Sequence, residues 1–414
     1  MSALTRFPEG FLWGASTAGH QVEGGNVNAD LWPLEWAEDS RFNEPSGDAC
    51  DHYHRYPEDI ALLAELGLNA YRFSLEWSRI EPEPGYFSRA ALDHYRRMVA
   101  FCLDLGVTPV VTYNHFTLPR WMAGDGGWAS ERSPERFSRF ASRVTQHLGD
   151  MLSWVCTLNE PNLMALLAAT GVLAMGSGDH GSSGAEAKGA HPGIGGYDPA
   201  RYRIGLVASD VERMASVHRH AVEAIKSVSP DLKVGWTLAL VDLQPAPGGE
   251  SHVQGARKRA QTDWLSVSAE DDFIGVQTYS RSIIGPDGAV IEPQEAPTMQ
   301  TGWEVYPEAL GHMVSLAAEH AGVPILVTEN GMATDDDDAR IAYTRASLEG
   351  LAGAIGKGVD VRGYLHWTLL DNFEWMSAYS KTFGLVAVDR ETMARAVKPS
   401  ARWLGRVAAS NGFD

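Results

Sequence analysis

The chain has 414 residues, 44% hydrophobic and 21% charged, an ordinary globular composition with enough apolar mass for a large core. Its formal net charge of −19 argues against nucleic acid or an anionic membrane surface as a partner. No apolar run approaches the ~18 residues of a membrane-spanning helix, and the N-terminus lacks the long apolar stretch of a signal peptide, so a cytoplasmic protein is expected. Cys50, Cys102 and Cys156 have no metal-ligand spacing and read as small apolar residues in a reducing compartment.

Eight runs read as strands: 11–17, 69–77, 107–114, 154–160, 233–240, 272–279, 324–330 and 361–370. Several are nearly continuous apolar segments, such as Val107-Thr108-Pro109-Val110-Val111, the pattern of parallel strands buried on both faces. Amphipathic stretches at 57–66, 90–105, 135–148, 209–227 and 340–355 read as helices between them. Repeated strand-then-helix alternation predicts a parallel sheet, and eight units close it into a (β/α)8 barrel. We expect one domain over residues 1–414, with long loops at the C-terminal face. The segment 171–202, rich in Gly, Ser, His and Pro, interrupts the alternation and reads as a lid over the barrel mouth.

Two features read as structural rather than functional. His52 and His54 alternate as on a strand or turn without a third ligand nearby, so no metal site is expected there. The acidic run Asp335 to Asp338 precedes a helical stretch and suits N-terminal capping better than calcium.

Catalysis is signalled by two short stretches, Thr157-Leu158-Asn159-Glu160-Pro161 and Val327-Thr328-Glu329-Asn330-Gly331. Each delivers a glutamate to the C-terminal end of an expected strand, where barrels of this kind carry their chemistry. Two carboxylic acids presented this way fit glycosidic bond cleavage, one as nucleophile or base and the other as proton donor. Gln21, His115, Asn159, Tyr279, Glu374, Trp367 and Trp375 fall at or just past other strand ends. They supply polar groups for sugar hydroxyls and flat rings for an apolar sugar face. Most of the 13 tryptophans, including Trp154, Trp264 and Trp403, read instead as packing residues.

With these motifs in order, from Phe11-Leu12-Trp13-Gly14-Ala15-Ser16-Thr17-Ala18 to Leu370-Asp371-Asn372-Phe373-Glu374-Trp375, the chain resembles glycoside hydrolase family 1 over almost its whole length. The resemblance implies retaining cleavage of terminal non-reducing β-D-glucosyl residues, with β-D-galactosyl or β-D-fucosyl residues as further candidates. It makes Glu160 the acid/base and Glu329 the nucleophile, with Arg72 and Tyr279 hydrogen-bonded to the latter. It assigns Asn159 to the sugar 2-hydroxyl, Gln21, His115, Glu374 and Trp375 to the 3-, 4- and 6-hydroxyls, and Trp367 to the platform beneath the ring. A carboxylate at position 374 suits unphosphorylated sugars. No metal or organic cofactor is implied; the expected partner is a small β-glycoside. The same residues also serve a transglycosidase, and a non-catalytic carbohydrate-binding protein is the third reading. Three departures from the family pattern, Phe116, Gln277 and Met376-Ser377-Ala378, are expected to lie away from both glutamates.

Overall fold

The computed structural model describes residues 5–170, 210–292 and 295–414. The expected lid at 171–202 lies outside the described residues. Eight parallel strands close into a barrel: β1 (Leu12–Ser16), β2 (Ala70–Ser74), β3 (Thr108–Asn114), β4 (Trp154–Asn159), β5 (Lys233–Ala239), β6 (Ile274–Gln277), β7 (Ile325–Asn330) and β8 (Val361–Trp367). Each pairs with its neighbours in sequence order, and β8 returns to β1. All eight expected strands are present. Trp77, expected at the end of the second, opens a one-turn helix instead.

Helices surround the barrel: α1 (His52–Glu65), α2 (Arg89–Asp104), α3 (Ser133–Leu148), α4 (Val211–Val228), α5 (Glu250–Arg257), α6 (Ala309–Ala321), α7 (Asp337–Gly356) and α8 (Pro399–Ser410). The main core lies between the barrel's outer wall and these helices, where Trp77, Trp236 and Trp264 are fully buried. Trp154, Trp264 and Trp403 all pack in the core, as expected. Among the described residues, no helix is long and apolar enough to cross a membrane.

His52 and His54 correct one expectation, because they open helix α1 rather than a strand or turn. Asp51 precedes them with a φ of 53°, and Pro57 sits inside the helix, where a proline reads from sequence as a helix start. The His52 ring is held between Asp59 Oδ2 at 2.8 Å and the Tyr71 hydroxyl at 3.1 Å.

The barrel interior sorts by height. Side chains alternate across a strand, so residues two apart share its inner face. Ala70, Val110, Trp154, Cys156, Phe273, Leu326 and Leu365 form an apolar layer with Leu12 against it. Two residues further along β2 and β3 stand Arg72 and Thr112, the start of a polar layer at the C-terminal end. The floor of the barrel is therefore apolar, and the site is built on top of it.

The acidic run before α7 caps the helix, as its composition suggested. Asp336 accepts from the backbone N–H groups of Asp338 and Ala339, both at 3.1 Å. Asp336→Ala should lower unfolding free energy by about 1 kcal/mol, the usual worth of such a cap. Asp338→Ala, at an exposed side chain, should change it little. Urea unfolding of both variants checks this; equal midpoints would remove the capping role.

Candidate active site

Both glutamate-bearing strands lose regular register at their C-terminal ends. On β7 the pairing shifts between Val327 and Glu329, and on β4 between Cys156 and Asn159. Such irregularities re-aim side chains next to active sites. Glu160 follows β4 with a φ of 45°, a left-handed conformation uncommon outside glycine. An extended residue there would face away from Asn159, so this turn brings consecutive side chains towards one pocket.

Arg72 is fully buried at the centre of the polar layer. A buried guanidinium is tolerated only when paired and hydrogen-bonded. Its Nη1 donates to Glu329 Oε1 at 2.7 Å, its Nη2 to Asn159 Oδ1 at 2.5 Å and its Nε to Thr112 Oγ1 at 3.0 Å. Tyr279 donates its hydroxyl to Glu329 Oε2 at 2.7 Å. These contacts join strands β2, β3, β4 and β7 at one point.

Gln277 corrects the sequence reading. Its Nε2 donates to Glu329 Oε1 at 2.8 Å and to Asn159 Oδ1 at 2.9 Å, so this departure from the family pattern touches one of the two glutamates. The cause is register: Gln277 is the direct neighbour of Glu329 across β6 and β7. Its position at a strand end, two residues before Tyr279, was the available signal. Thr112 and Thr237 also support the site unflagged, the latter donating to Asn159 Oδ1 at 3.0 Å. Trp303 is a further unflagged aromatic, exposed and 5.5 Å from the Tyr279 ring.

The two carboxyl groups have opposite surroundings. Burial raises the Glu329 carboxyl above its ordinary range, but the Arg72 charge and the hydrogen bonds from Tyr279 and Arg72 pull it back. Glu160 is raised well above that range by burial and then by the charge of Glu329, with Arg72 opposing. No side chain among the described residues hydrogen-bonds the Glu160 carboxyl. Environments that separate two neighbouring carboxyl groups in this way assign the proton to one of them. Glu160 holds it longer.

Hydrogen-bond bookkeeping fixes the His115 tautomer. Asn159 Oδ1 accepts from Arg72, Gln277 and Thr237, so its Nδ2 donates to His115 Nε2 at 3.1 Å. The proton of the neutral ring then sits on Nδ1. Burial and the Arg72 charge hold His115 well below its ordinary pKa, in agreement with a neutral ring. That Nδ1, the Oε1 of Gln21 and the Oε1 of Gln277 are all buried without a hydrogen-bond partner among the described residues. Gln21 leaves its oxygen unused because its Nε2 donates to Asn372 Oδ1 at 3.2 Å and to the Phe373 carbonyl at 2.8 Å. Unpaired buried polar atoms are costly and rare; three in one site give it the donor and acceptors that a polyhydroxylated ligand satisfies.

The remaining residues form the wall after β8. Trp367 is almost buried, packs with Ala18, Ala333 and Phe383, and donates Nε1 to Glu374 Oε1 at 3.2 Å. Glu374 is half-buried, and burial pushes its carboxyl up to about 8 against the opposing Trp367 hydrogen bond. Trp375 is also half-buried and lies 6.1 Å from the His115 ring at 18°, with Phe116 edge-on at 5.2 Å. All ten expected site residues therefore line the C-terminal end of one barrel.

A model of Glycosyl hydrolase family 1 matches residues 3–281 and 259–413. Beta-glucosidase A of Thermotoga maritima is 30% identical over 99% of both chains. The bifunctional beta-D-glucosidase/beta-D-fucosidase of Bifidobacterium breve is 32% identical over 98% of both. Among solved structures, beta-glycosidase BGL167 superposes with a TM-score of 0.89 at 47% identity, covering 98% of this chain and 97% of its own. The Thermotoga maritima beta-glucosidase in complex with deoxynojirimycin superposes with a TM-score of 0.85 at 28% identity, covering 99% and 100%. The chain belongs to glycosyl hydrolase family 1 and is a retaining β-glycosidase.

Proposed function

We propose that this single domain removes terminal non-reducing β-D-glucosyl residues from unphosphorylated glycosides, with β-D-fucosyl or β-D-galactosyl residues as secondary substrates. The observation that carries the reading is the contrast between the two glutamates. Three hydrogen bonds, one from a buried arginine, stabilise Glu329 as a carboxylate, whereas Glu160 has no such partner among the described residues and retains its proton. Relatives named for glucosidase and fucosidase activity support the sugar assignment. Three buried free cysteines support a reducing, cytoplasmic location.

In this reading Glu329 attacks the anomeric carbon while Glu160 protonates the leaving oxygen, giving a covalent glycosyl-enzyme. Esterification removes the Glu329 charge, which together with burial holds Glu160 protonated. The Glu160 pKa then falls, and the resulting carboxylate deprotonates the incoming water. Asn159, fixed by Arg72, Gln277 and Thr237, meets the 2-hydroxyl. Gln21, His115, Glu374 and Trp375 meet the 3-, 4- and 6-hydroxyls, with Trp367 beneath the ring. The chemistry assigned to these residues calls for no metal or organic cofactor.

Glu329→Ala should lose nearly all turnover, and azide should restore part of it while yielding the α-glycosyl azide. Glu160→Ala should lose about 10²- to 10⁴-fold on aryl glucosides with poor leaving groups and much less on those with good ones. Equal losses on both substrate types would contradict the acid/base assignment.

The pH profile tests the electrostatics separately. Glu329 must be ionised and Glu160 protonated, so kcat/KM should fall at low pH through the first group and at high pH through the second; both limbs report the coupled pair. Tyr279→Phe removes a hydrogen bond that lowers the Glu329 pKa. Its acid limb should therefore move to higher pH. An acid limb unchanged or moved downward would show that this bond does not tune Glu329.

Substrate charge provides a last check. Glu374 offers no positive charge to a 6-phosphate, and kcat/KM should be much higher for an aryl β-glucoside than for its 6-phosphate. Comparable values would overturn the substrate class.

A further inference from the structure

Trp375 has an unusual backbone for a bulky residue, with a φ of 50°. Left-handed conformations at such residues persist only where surrounding contacts hold them. The His115 ring lies beside it, as described above. So does a residue that the reaction does not use: the His20 ring lies 5.9 Å away and parallel to within 1°.

Both edges of His20 are tied. Asn26 Nδ2 lies 3.1 Å from Nδ1, and Glu35 Oε1 lies 2.6 Å from Nε2. Asn26 also donates to Glu76 Oε2 at 2.6 Å and accepts from Ser78 Oγ at 2.7 Å, which fixes its amide orientation. His20 therefore receives a hydrogen bond at Nδ1 and donates from Nε2 to Glu35. Glu35 in turn accepts from the Ser46 backbone N–H at 2.9 Å and the Ser46 hydroxyl at 2.6 Å. Phe373 packs edge-on against His20 at 6.0 Å and 70°. The side chains of His20 and Glu35 are fully buried. An imidazole so restrained has no freedom to rotate about its own plane, and a ring stacked on it inherits that plane.

We propose that His20 is a positioning residue for Trp375, its ring held in plane by Glu35 and Asn26 so that the indole stacked parallel to it keeps the angle that meets the sugar. His20 touches no reacting atom and acts only through Trp375. This rests on Trp375 contacting the sugar. The adjacent Gln21 lies on the same one-turn helix, Gly19–Val22, and bonds the Phe373 carbonyl, so one short element sets two sugar-facing groups.

The test is a double-mutant cycle on an aryl β-glucoside, with folding checked by circular dichroism and thermal midpoint. His20→Gln keeps a donor for buried Glu35 but removes the flat ring. It should lower kcat/KM about tenfold to a hundredfold, the scale of a small misplacement at a site. His20→Gln/Trp375→Ala should be no worse than Trp375→Ala alone, since both changes remove one function. The pair His20→Phe/Glu35→Gln restores a ring without its two tethers and without leaving a buried carboxylate unpaired, and it should recover part of the lost activity. A His20→Gln enzyme as active as the parent, losses that multiply in the double variant, or no recovery with phenylalanine in a folded protein would each overturn the proposal. Full activity in Trp375→Ala would instead remove the sugar-contact assignment of Trp375, and the role of His20 with it.

Discussion

The buried ion pair between Arg72 and Glu329 is the constraint around which the polar layer is organised. An arginine taken fully out of water costs several kcal/mol unless its donors are matched, and here three different strands supply the acceptors. Glu329 is bound by the same requirement in reverse, and it recruits Tyr279 and Gln277 to complete its shell. Asn159 then has its oxygen committed to donors, which commits its nitrogen to His115 and so fixes that ring's tautomer. One charge pair thus determines hydrogen-bond directions as far as the pocket wall.

The same pair separates the protonation behaviour of the two glutamates. Both are buried, so burial alone would raise both. The donors around Glu329 break that symmetry, and its charge then acts on Glu160. The left-handed turn at Glu160 and the register shifts on β4 and β7 place the two groups near enough for this coupling. Local backbone irregularity, rather than the regular barrel, sets up the electrostatics.

Much of this was legible in the sequence because parallel barrel strands, buried on both faces, leave near-continuous apolar runs. All eight strands are legible, and so are the candidate residues at their ends, apart from Gln277, Thr112 and Thr237. Pairing register was not legible: nothing in composition says that Gln277 stands beside Glu329, and a one-residue slip would have turned it elsewhere. The start of α1 was obscured because Pro57, a usual first-turn residue, sits inside the helix. The grouping of rings around Trp375 was invisible for another reason. It joins His20, His115 and Trp375, which are distant in the chain and alike only in being flat.

The apolar layer beneath Arg72 bears on how water takes part in the reaction. Ala70, Val110, Trp154, Phe273, Leu326 and Leu365 stopper the barrel from below, so the mouth is the shared passage for glycoside, departing aglycone and attacking water. The second half of the cycle must then wait for the aglycone to clear. Any alcohol that served as acceptor would have to enter by the same doorway as water.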